Sequence, residues 1–300
     1  MNEKYHIPVL LNEVIDGLAI KPSGIYVDLT FGGGGHSSNI LNRLNKNGKL
    51  IVFDTDDNAF ENLLDDNRII AVKSNFRYFI NFLRYNNLLP VDGILADLGV
   101  SSFQFDNVSK GFTYRYDAPL DMRMNKSAGF SAYDVLNEYS VHQLTDLFKK
   151  YGEIYRPAYT ISMAIVEYRK KKPIKTTGEL VKIVDRAVRG KAMPNFLSQL
   201  FQAIRIEVNN EIEVLKEMLS KTPYALKNGG RLVVITYHSI EDKIVKYFMK
   251  YGTFEKPEYG EKIKSNDFKI INKKVIKASG EELKKNRRAR SAKLRIAEKI

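Results

Sequence analysis

Carboxylates that close apolar runs and a block of four glycines are the residues of this 300-residue chain best placed to do chemistry. Tyr26-Val27-Asp28-Leu29-Thr30-Phe31 leads into Gly32-Gly33-Gly34-Gly35, and His36 opens a helix-like segment. Glycine lets backbone approach a ligand without Cβ interference and tolerates positive φ, so this strand, turn and helix start can wrap a nucleotide-like molecule. Spacing separates three such molecules. A phosphate-cradling loop needs Lys then Ser or Thr five residues after its first glycine, yet His36 and Ser37 follow the glycines here. A dinucleotide fingerprint starting at Gly32 and Gly34 has Ser37 at its third glycine position. The third molecule is S-adenosylmethionine (SAM), a cationic amino acid joined to adenosine without phosphate. An acid ending the first strand, glycine backbone, and an acid ending the next strand, Lys49-Leu50-Ile51-Val52-Phe53-Asp54, suit it. Asp54 stands about 20 residues past Gly34, the offset at which a carboxylate accepts ribose hydroxyls in dinucleotide enzymes. A glycine-rich surface loop is the remaining alternative.

A further acid, Asp97, ends another apolar run and opens Asp97-Leu98-Gly99-Val100-Ser101-Ser102-Phe103-Gln104. Ligands of open α/β sheets lie beyond the carboxyl ends of the strands, so this is the expected reactive edge. Methylation of an exocyclic base amine needs acceptors for its hydrogens, because the lone pair is delocalised into the ring until the nitrogen pyramidalises. Asp97 is such an acceptor or, alternatively, a strand-end turn residue. No proline pair follows it, and Gly99, Ser101 or Ser102 would have to present the backbone instead.

The elements that must position these residues follow from patterning. Strands are expected at Ile25 to Leu29, Leu50 to Asp54, Ile69 to Lys73 and Gly93 to Leu98, with helices starting near His36, Asp57 and Phe76. This repeated alternation predicts a parallel sheet. From about Asp106 to Lys191 only helical periodicity appears, as in Ser140 to Tyr151 and Ala158 to Tyr168. A long helix from about Ser198 to Leu219 precedes the strand of Gly229 to Thr236, and Ser291 to Ala297 reads as a last strand on an edge. The expected domains are therefore 1–105 with 200–300, interrupted by a helical insert at 106–199.

Composition sets the class of protein. With 44% hydrophobic residues the chain can bury a substantial core. The absence of cysteine excludes disulfides, zinc thiolates and thiol nucleophiles together, no metal site is expected, and the setting expected is cytoplasmic. The N-terminus lacks signal-peptide character, and no apolar run approaches the roughly 18 residues of a membrane span, so no membrane partner is expected. The net charge of +13 favours a polyanionic partner. From Lys269 to Ile300 there are twelve basic residues against three acidic ones, densest at Arg287, Arg288 and Arg290, where phosphate contacts are expected. A second cluster, Arg169-Lys170-Lys171-Lys172-Pro173-Ile174-Lys175, reads equally as a solvated helix end or an RNA contact.

Seven blocks, in order, resemble the MraW (RsmH) family. They are His6-x-Pro8-Val9-Leu10-Leu11-x-Glu13, Thr30-Phe31-Gly32-x-Gly34-Gly35-His36-Ser37, Asp97-Leu98-Gly99-Val100-Ser101-Ser102-x-Gln104 and Pro119-Leu120-Asp121-Met122-Arg123-Met124. Phe201-Gln202-Ala203-x-Arg205-Ile206-x-Val208-Asn209-x-Glu211, His238-Ser239-x-Glu241-Asp242 and Arg290-Ser291-Ala292-x-Leu294-Arg295 complete them. The resemblance implies an α/β, class I SAM-dependent methyltransferase, Rossmann-like with a mostly parallel sheet and an inserted helical domain for substrate RNA recognition. It implies methylation of the N(4) amine of one cytidine, cytosine 1402 of the 16S ribosomal RNA in the small ribosomal subunit, near the P site. It also implies that Gly34, Gly35 and His36 contact SAM, that Asp54 holds the ribose, that Phe76 packs by the adenine, and that Asp97 and Gln104 complete the site. His238, followed by Glu241 and Asp242, is a second catalytic candidate lining the base pocket, or else a structural histidine. The chain departs from the family pattern at Asn195 to Leu200, at Ser162 and Met163, and at Lys243, positions that bear on RNA contact rather than on SAM. The expected chemistry is direct transfer without a covalent enzyme intermediate. A methyltransferase with another nucleic-acid or protein acceptor, and a noncatalytic RNA-binding assembly protein, are the alternatives.

Overall fold

In the computed structural model, residues 8–99, 108–125, 128–190, 194–258 and 266–300 are described. The chain divides into two compact units, Met1–Gly99 with Ile212–Ile300, and Val100–Glu211.

The first unit is built on a seven-stranded sheet. Its strands are β1 (Ile25–Asp28), β2 (Lys49–Asp54), β3 (Ile69–Lys73), β4 (Val91–Asp97), β5 (Leu226–Thr236), β6 (Phe268–Ile270) and β7 (Lys293–Lys299), in the order β3-β2-β1-β4-β5-β7-β6. The pairs from β3 to β5 are parallel, and β7 runs antiparallel to both β5 and β6. Leu50 to Phe53 of β2 and Val91 to Ala96 of β4 are buried without alternation, the pattern of strands covered on both faces. Helix α1 (Leu11–Leu18) turns Val14, Ile15 and Leu18 toward a core shared with Leu95, Val233 and Ile296. Helices α2 (Gly35–Leu41) and α3 (Phe79–Tyr85) follow β1 and β3.

Three expectations are corrected here. The segment after Asp57 is a 3-10 turn, Asp57–Asn62, capped by Asp56, whose carboxylate accepts both the backbone amide and the side-chain amide of Asn58. The last strand is not at an edge: β7 lies between β5 and β6, and β6 is too short to announce itself in the sequence. The long helix is two, α8 (Pro194–Asn209) and α9 (Glu211–Ala225), broken where Asn210 takes a left-handed φ of 50°.

The second unit holds α4 (Ala132–Glu138), α5 (Val141–Gly152), α6 (Ala158–Arg169), α7 (Thr177–Ala187) and α8, with no strand among its described residues. It extends to Glu211, so α8 belongs to it and not to the sheet domain that was expected to resume at residue 200. Ser140 and Gln143 form a reciprocal cap on α5. The basic cluster after α6 is largely occupied locally: Arg169 donates to the Leu136 and Tyr139 carbonyls at 2.7 and 2.6 Å, and Lys172 pairs with Glu179 at 2.8 Å. Ser162 is fully buried, its hydroxyl donating to the Ala158 carbonyl at 2.9 Å.

Two of the family-like blocks meet inside this unit. The Asn209 side chain accepts from the Met124 amide at 2.8 Å and donates to the carbonyls of Met122, at 2.8 Å, and Arg205, at 2.9 Å. Arg205 in turn donates to both carboxylate oxygens of Glu211 at 2.8 and 2.9 Å. These residues brace the fold. Asn209→Ala leaves the Met124 amide without its acceptor and is expected to cost about 2 kcal/mol, read as a lowered midpoint in chemical denaturation.

Candidate active site

Four adjacent parallel strands, β3, β2, β1 and β4, bring their carboxyl ends to one edge, and the reversal of strand order between β1 and β4 opens a crevice there. The glycine turn follows β1, Asp54 ends β2, Phe76 stands in the short 3-10 turn after β3, and Asp97 ends β4. Fold topology alone therefore collects these candidates along one rim. Phe76 is partly exposed there, its turn capped by Asn75, which accepts the Arg77 amide at 2.9 Å.

The glycine turn is shaped by sterics. Gly34 has φ 74°, and a Cβ on it would lie 2.9 Å from the Phe31 ring, so a side chain is excluded by both conformation and space. Asp54 accepts from the Gly32 amide through Oδ2 and from the Asp56 amide through Oδ1, each at 2.9 Å. Burial pushes its carboxyl above the usual range, against the pull of the Asp56, Gly32 and Thr55 amides. A carboxylate offers about four lone-pair sites, so beyond these three amides it keeps capacity for a hydroxyl donor such as that of a ribose.

Asp28 is buried and accepts from Ser37 Oγ at 2.7 Å and from the Thr30 amide at 3.0 Å. Thr30 Oγ1 accepts from the Asp97 amide at 2.7 Å. This acid thus braces the ends of β1 and β4.

The two acids of β4 are treated oppositely. Asp92, at the amino end, is buried, but hydrogen bonds from Lys227 at 2.6 Å, the Ile25 amide and Lys21 overcome that burial and hold its carboxyl below the usual range. Asp97, at the carboxyl end with its side chain 23% exposed, pairs with no lysine or arginine among the described residues. Its Oδ1 accepts the Tyr237 hydroxyl at 2.8 Å, and its Oδ2 lies 3.8 Å from His36 Nδ1. Burial pushes the Asp97 carboxyl up to about 6; His36 and the Tyr237 hydrogen bond pull it down, and the negative charges of Asp28 and Glu241 push it further up. A carboxylate so poised in a crevice is the signature of a functional acid or base.

His36 is buried, with Nε2 2.9 Å from the Val9 carbonyl. A carbonyl only accepts, so Nε2 carries the hydrogen and Nδ1 faces Asp97. The adjacent Leu10 amide donates to Glu282 Oε1 at 2.7 Å, which ties helix α11 (Gly280–Lys285) to the segment that holds His36.

Of the two readings of His238, the structural one has a visible basis. This residue caps helix α10 (Ser239–Tyr251), its Nδ1 accepting the Glu241 amide at 3.4 Å, and its side chain is 7% exposed. Its Nε2 is 3.1 Å from Glu241 Oε1 but lacks hydrogen-bond geometry. Asp242 is held by Arg295 Nε at 2.7 Å and Lys293 at 3.5 Å, so part of the tail's charge is spent on packing β7 against α10. Arg287, Arg288 and Arg290 are exposed on a 3-10 turn anchored by buried Ala289. Gln104 lies outside the described residues, as do Ser101 and Ser102.

Tyr237 was missed by sequence reasoning, although the signal was present. It is the first residue after β5, at the carboxyl edge where Asp97 ends β4.

An open parallel sheet with a side-chain-excluding glycine turn, a ribose-competent carboxylate on the neighbouring strand and no phosphate-binding lysine defines a class I SAM-dependent methyltransferase. The chain belongs to the MraW methylase family, whose model matches residues 3–300. It is similar to proteins named ribosomal RNA small subunit methyltransferase H. The one from Azobacteroides pseudotrichonymphae is 50% identical, covering 99% of this chain and 98% of that protein. The one from Flavobacterium johnsoniae is 52% identical with the same coverage. The one from Parabacteroides distasonis is 48% identical over the whole of both chains. SAM is the cofactor, and the glycine turn and the remaining acceptor capacity of Asp54 fit it. Among the described residues, no helix is long and apolar enough to cross a membrane.

Proposed function

We propose that this enzyme methylates the N(4) amine of a cytidine in small-subunit ribosomal RNA, cytosine 1402 by its family resemblance, acting in the cytoplasm on the 16S RNA within the small subunit. The observation that carries the reading is Asp97, a carboxylate with an open oxygen at the carboxyl end of β4. Gly34, Gly35, His36 and Phe76 line the cofactor side, Asp54 holds the ribose, and Gln104 contributes from the segment after β4. The names of the relatives supply the substrate class.

SAM, when bound, supplies a methyl group on a sulfonium whose departure leaves a neutral thioether. Asp97 accepts a hydrogen of the base amine, which frees the nitrogen lone pair from the ring as the new carbon–nitrogen bond forms. Asp97 then takes the surplus proton from the methylated nitrogen and releases it to solvent. Proton acceptance by a carboxylate with a pKa of about 6 is ready at neutral pH, where most of the group is ionised. With no cysteine in the chain, thiol attack on the ring plays no part.

RNA contacts are assigned to the helical insert and to the tail arginines, and the target base is turned out of its stack. Arg287→Ala with Arg290→Ala is expected to reduce the slope of log affinity against log salt by roughly 1.5, as two phosphate contacts are lost, while leaving SAM affinity unchanged. The function itself is tested by incubating the enzyme with SAM and small subunits lacking the mark, then digesting the RNA to nucleosides for mass spectrometry. N(4)-methylcytidine supports the reading; methyl groups recovered in protein or in another nucleoside overturn it.

A further inference from the structure

Asp97 needs more than a suitable proton affinity. A carboxylate on a single χ2 torsion rotates freely unless something holds it, and a proton acceptor must offer its open oxygen in one direction. We propose that Tyr237 is the positioning residue for Asp97: its hydroxyl fixes Oδ1 and so leaves Oδ2 aimed for the amine proton. This inference rests on the methyltransferase reading above and deepens it at one residue.

Three features hold Tyr237 in place. Its backbone amide donates to Glu241 Oε2 at 3.0 Å, and Glu241 is almost wholly buried in the first turn of α10. Its ring lies against Gly99, where a Cβ would approach Cδ2 at 3.4 Å and where φ is 98°, a conformation glycine adopts without strain. It also packs on the core cluster that contains Val9, Leu10 and Phe31. The His238-Ser239-x-Glu241 block therefore acts through its neighbour: by capping α10 and gripping the Tyr237 amide it sets where the hydroxyl falls. Asp97 Oδ2, in contrast, takes no hydrogen bond from the described residues: His36 Nδ1 lies 3.8 Å away, beyond hydrogen-bond length. Tyr237 stays a donor throughout, since burial and the Asp97 charge both push its phenol far above the ordinary range.

The groups facing Asp97 are Asp28 from β1, His36 from α2, Tyr237 after β5 and Glu241 from α10. Of these, Tyr237 can be weakened or strengthened as a donor without adding or removing a charge. Tyr237→Phe removes a hydrogen bond that favours the ionised carboxylate, so the acid limb of kcat moves to higher pH. We expect kcat at neutral pH to fall about tenfold through lost orientation, with KM for SAM within about twofold of wild type. Replacing Tyr237 alone by 3-fluorotyrosine, a stronger hydrogen-bond donor, moves the acid limb the other way and keeps kcat near wild type. Calorimetry with SAM verifies that each variant is folded.

Opposite displacements of the acid limb by the two variants support the inference. An unmoved limb in both overturns it, whether or not kcat falls, because a merely structural tyrosine would lower activity without touching the titration. If Tyr237→Phe does not fold, the fluorotyrosine protein decides alone: a limb at the wild-type pH overturns the inference. These outcomes leave the methyltransferase reading intact as long as the wild-type enzyme produces N(4)-methylcytidine; absence of that product sinks the reading beneath it.

Discussion

Asparagine at position 97 is expected to lower the methyl-transfer rate by about 10²- to 10⁴-fold while SAM still binds, the range over which a positioned proton acceptor contributes. The substitution preserves shape, and the asparagine oxygen still accepts the Tyr237 hydroxyl, so the loss isolates proton acceptance from packing. Two pH measurements identify the cause. Wild-type kcat rises as pH passes through about 6, where the carboxyl ionises, and the Asp97→Asn protein loses that limb. Stability runs in the opposite sense. Because folding raises this carboxyl from 3.8 to about 6, the native state binds the proton more tightly than the unfolded state does. The unpaired charge therefore costs stability progressively from about pH 4 to pH 6 and fully above that. Asp97→Asn should be more stable than wild type at pH 8, by up to about 3 kcal/mol, with the difference vanishing near pH 4. A variant that is inactive and also less stable at pH 8 would mean that the aspartate is structural.

Asp54→Ala should weaken SAM binding about 100-fold. A hydrogen bond from a neutral donor to a charged acceptor is worth about 1.5 to 3 kcal/mol, and the variant loses the one to the ribose. It also releases the Gly32 amide, which Asp54 Oδ2 holds at 2.9 Å, so the glycine turn loosens along with the ribose acceptor. Titration calorimetry separates the two contributions. Asp54→Asn keeps one oxygen for the Gly32 amide and should recover part of the affinity, and 2′-deoxy-adenosyl analogues should discriminate less between wild type and variant than SAM does. Equal affinity of Asp54→Ala and wild type for SAM would remove Asp54 from the site.

The parallel half of the sheet was legible because strands buried on both faces leave uninterrupted apolar runs, and β1, β2 and β4 each end in an aspartate. Asp28, Asp54 and Asp97 could be found from that pattern alone. Their different duties could not. Asp28 and Asp97 look alike in sequence, and only the Ser37 and Thr30 hydrogen bonds on one, against an Oδ2 that takes no hydrogen bond from the described residues on the other, separate them. His238 could not be assigned for a related reason: a histidine after a strand reads as chemistry or as structure, and only its contact with the Glu241 amide shows that it caps a helix. The antiparallel end of the sheet was misread because β6 has three residues, too few to carry a period, and without it β7 seemed to have no second neighbour. Likewise the motif from Phe201 to Glu211 resembled a functional block, yet Asn209 and Arg205 spend their polar atoms on the insert's own backbone and on Glu211.

The bond between the Leu10 amide and Glu282 joins residues 272 positions apart in sequence, and buried Ala289 and Ala292 close over the same core cluster as Val9 and Leu10. Chains are made from the amino end, so the histidine-bearing loop emerges long before the carboxylate that secures its support. The pocket therefore reaches its final geometry only after Glu282 has been made. A growing polypeptide, held close to ribosomal RNA by the very machine that makes it, has no completed centre with which to modify that machine.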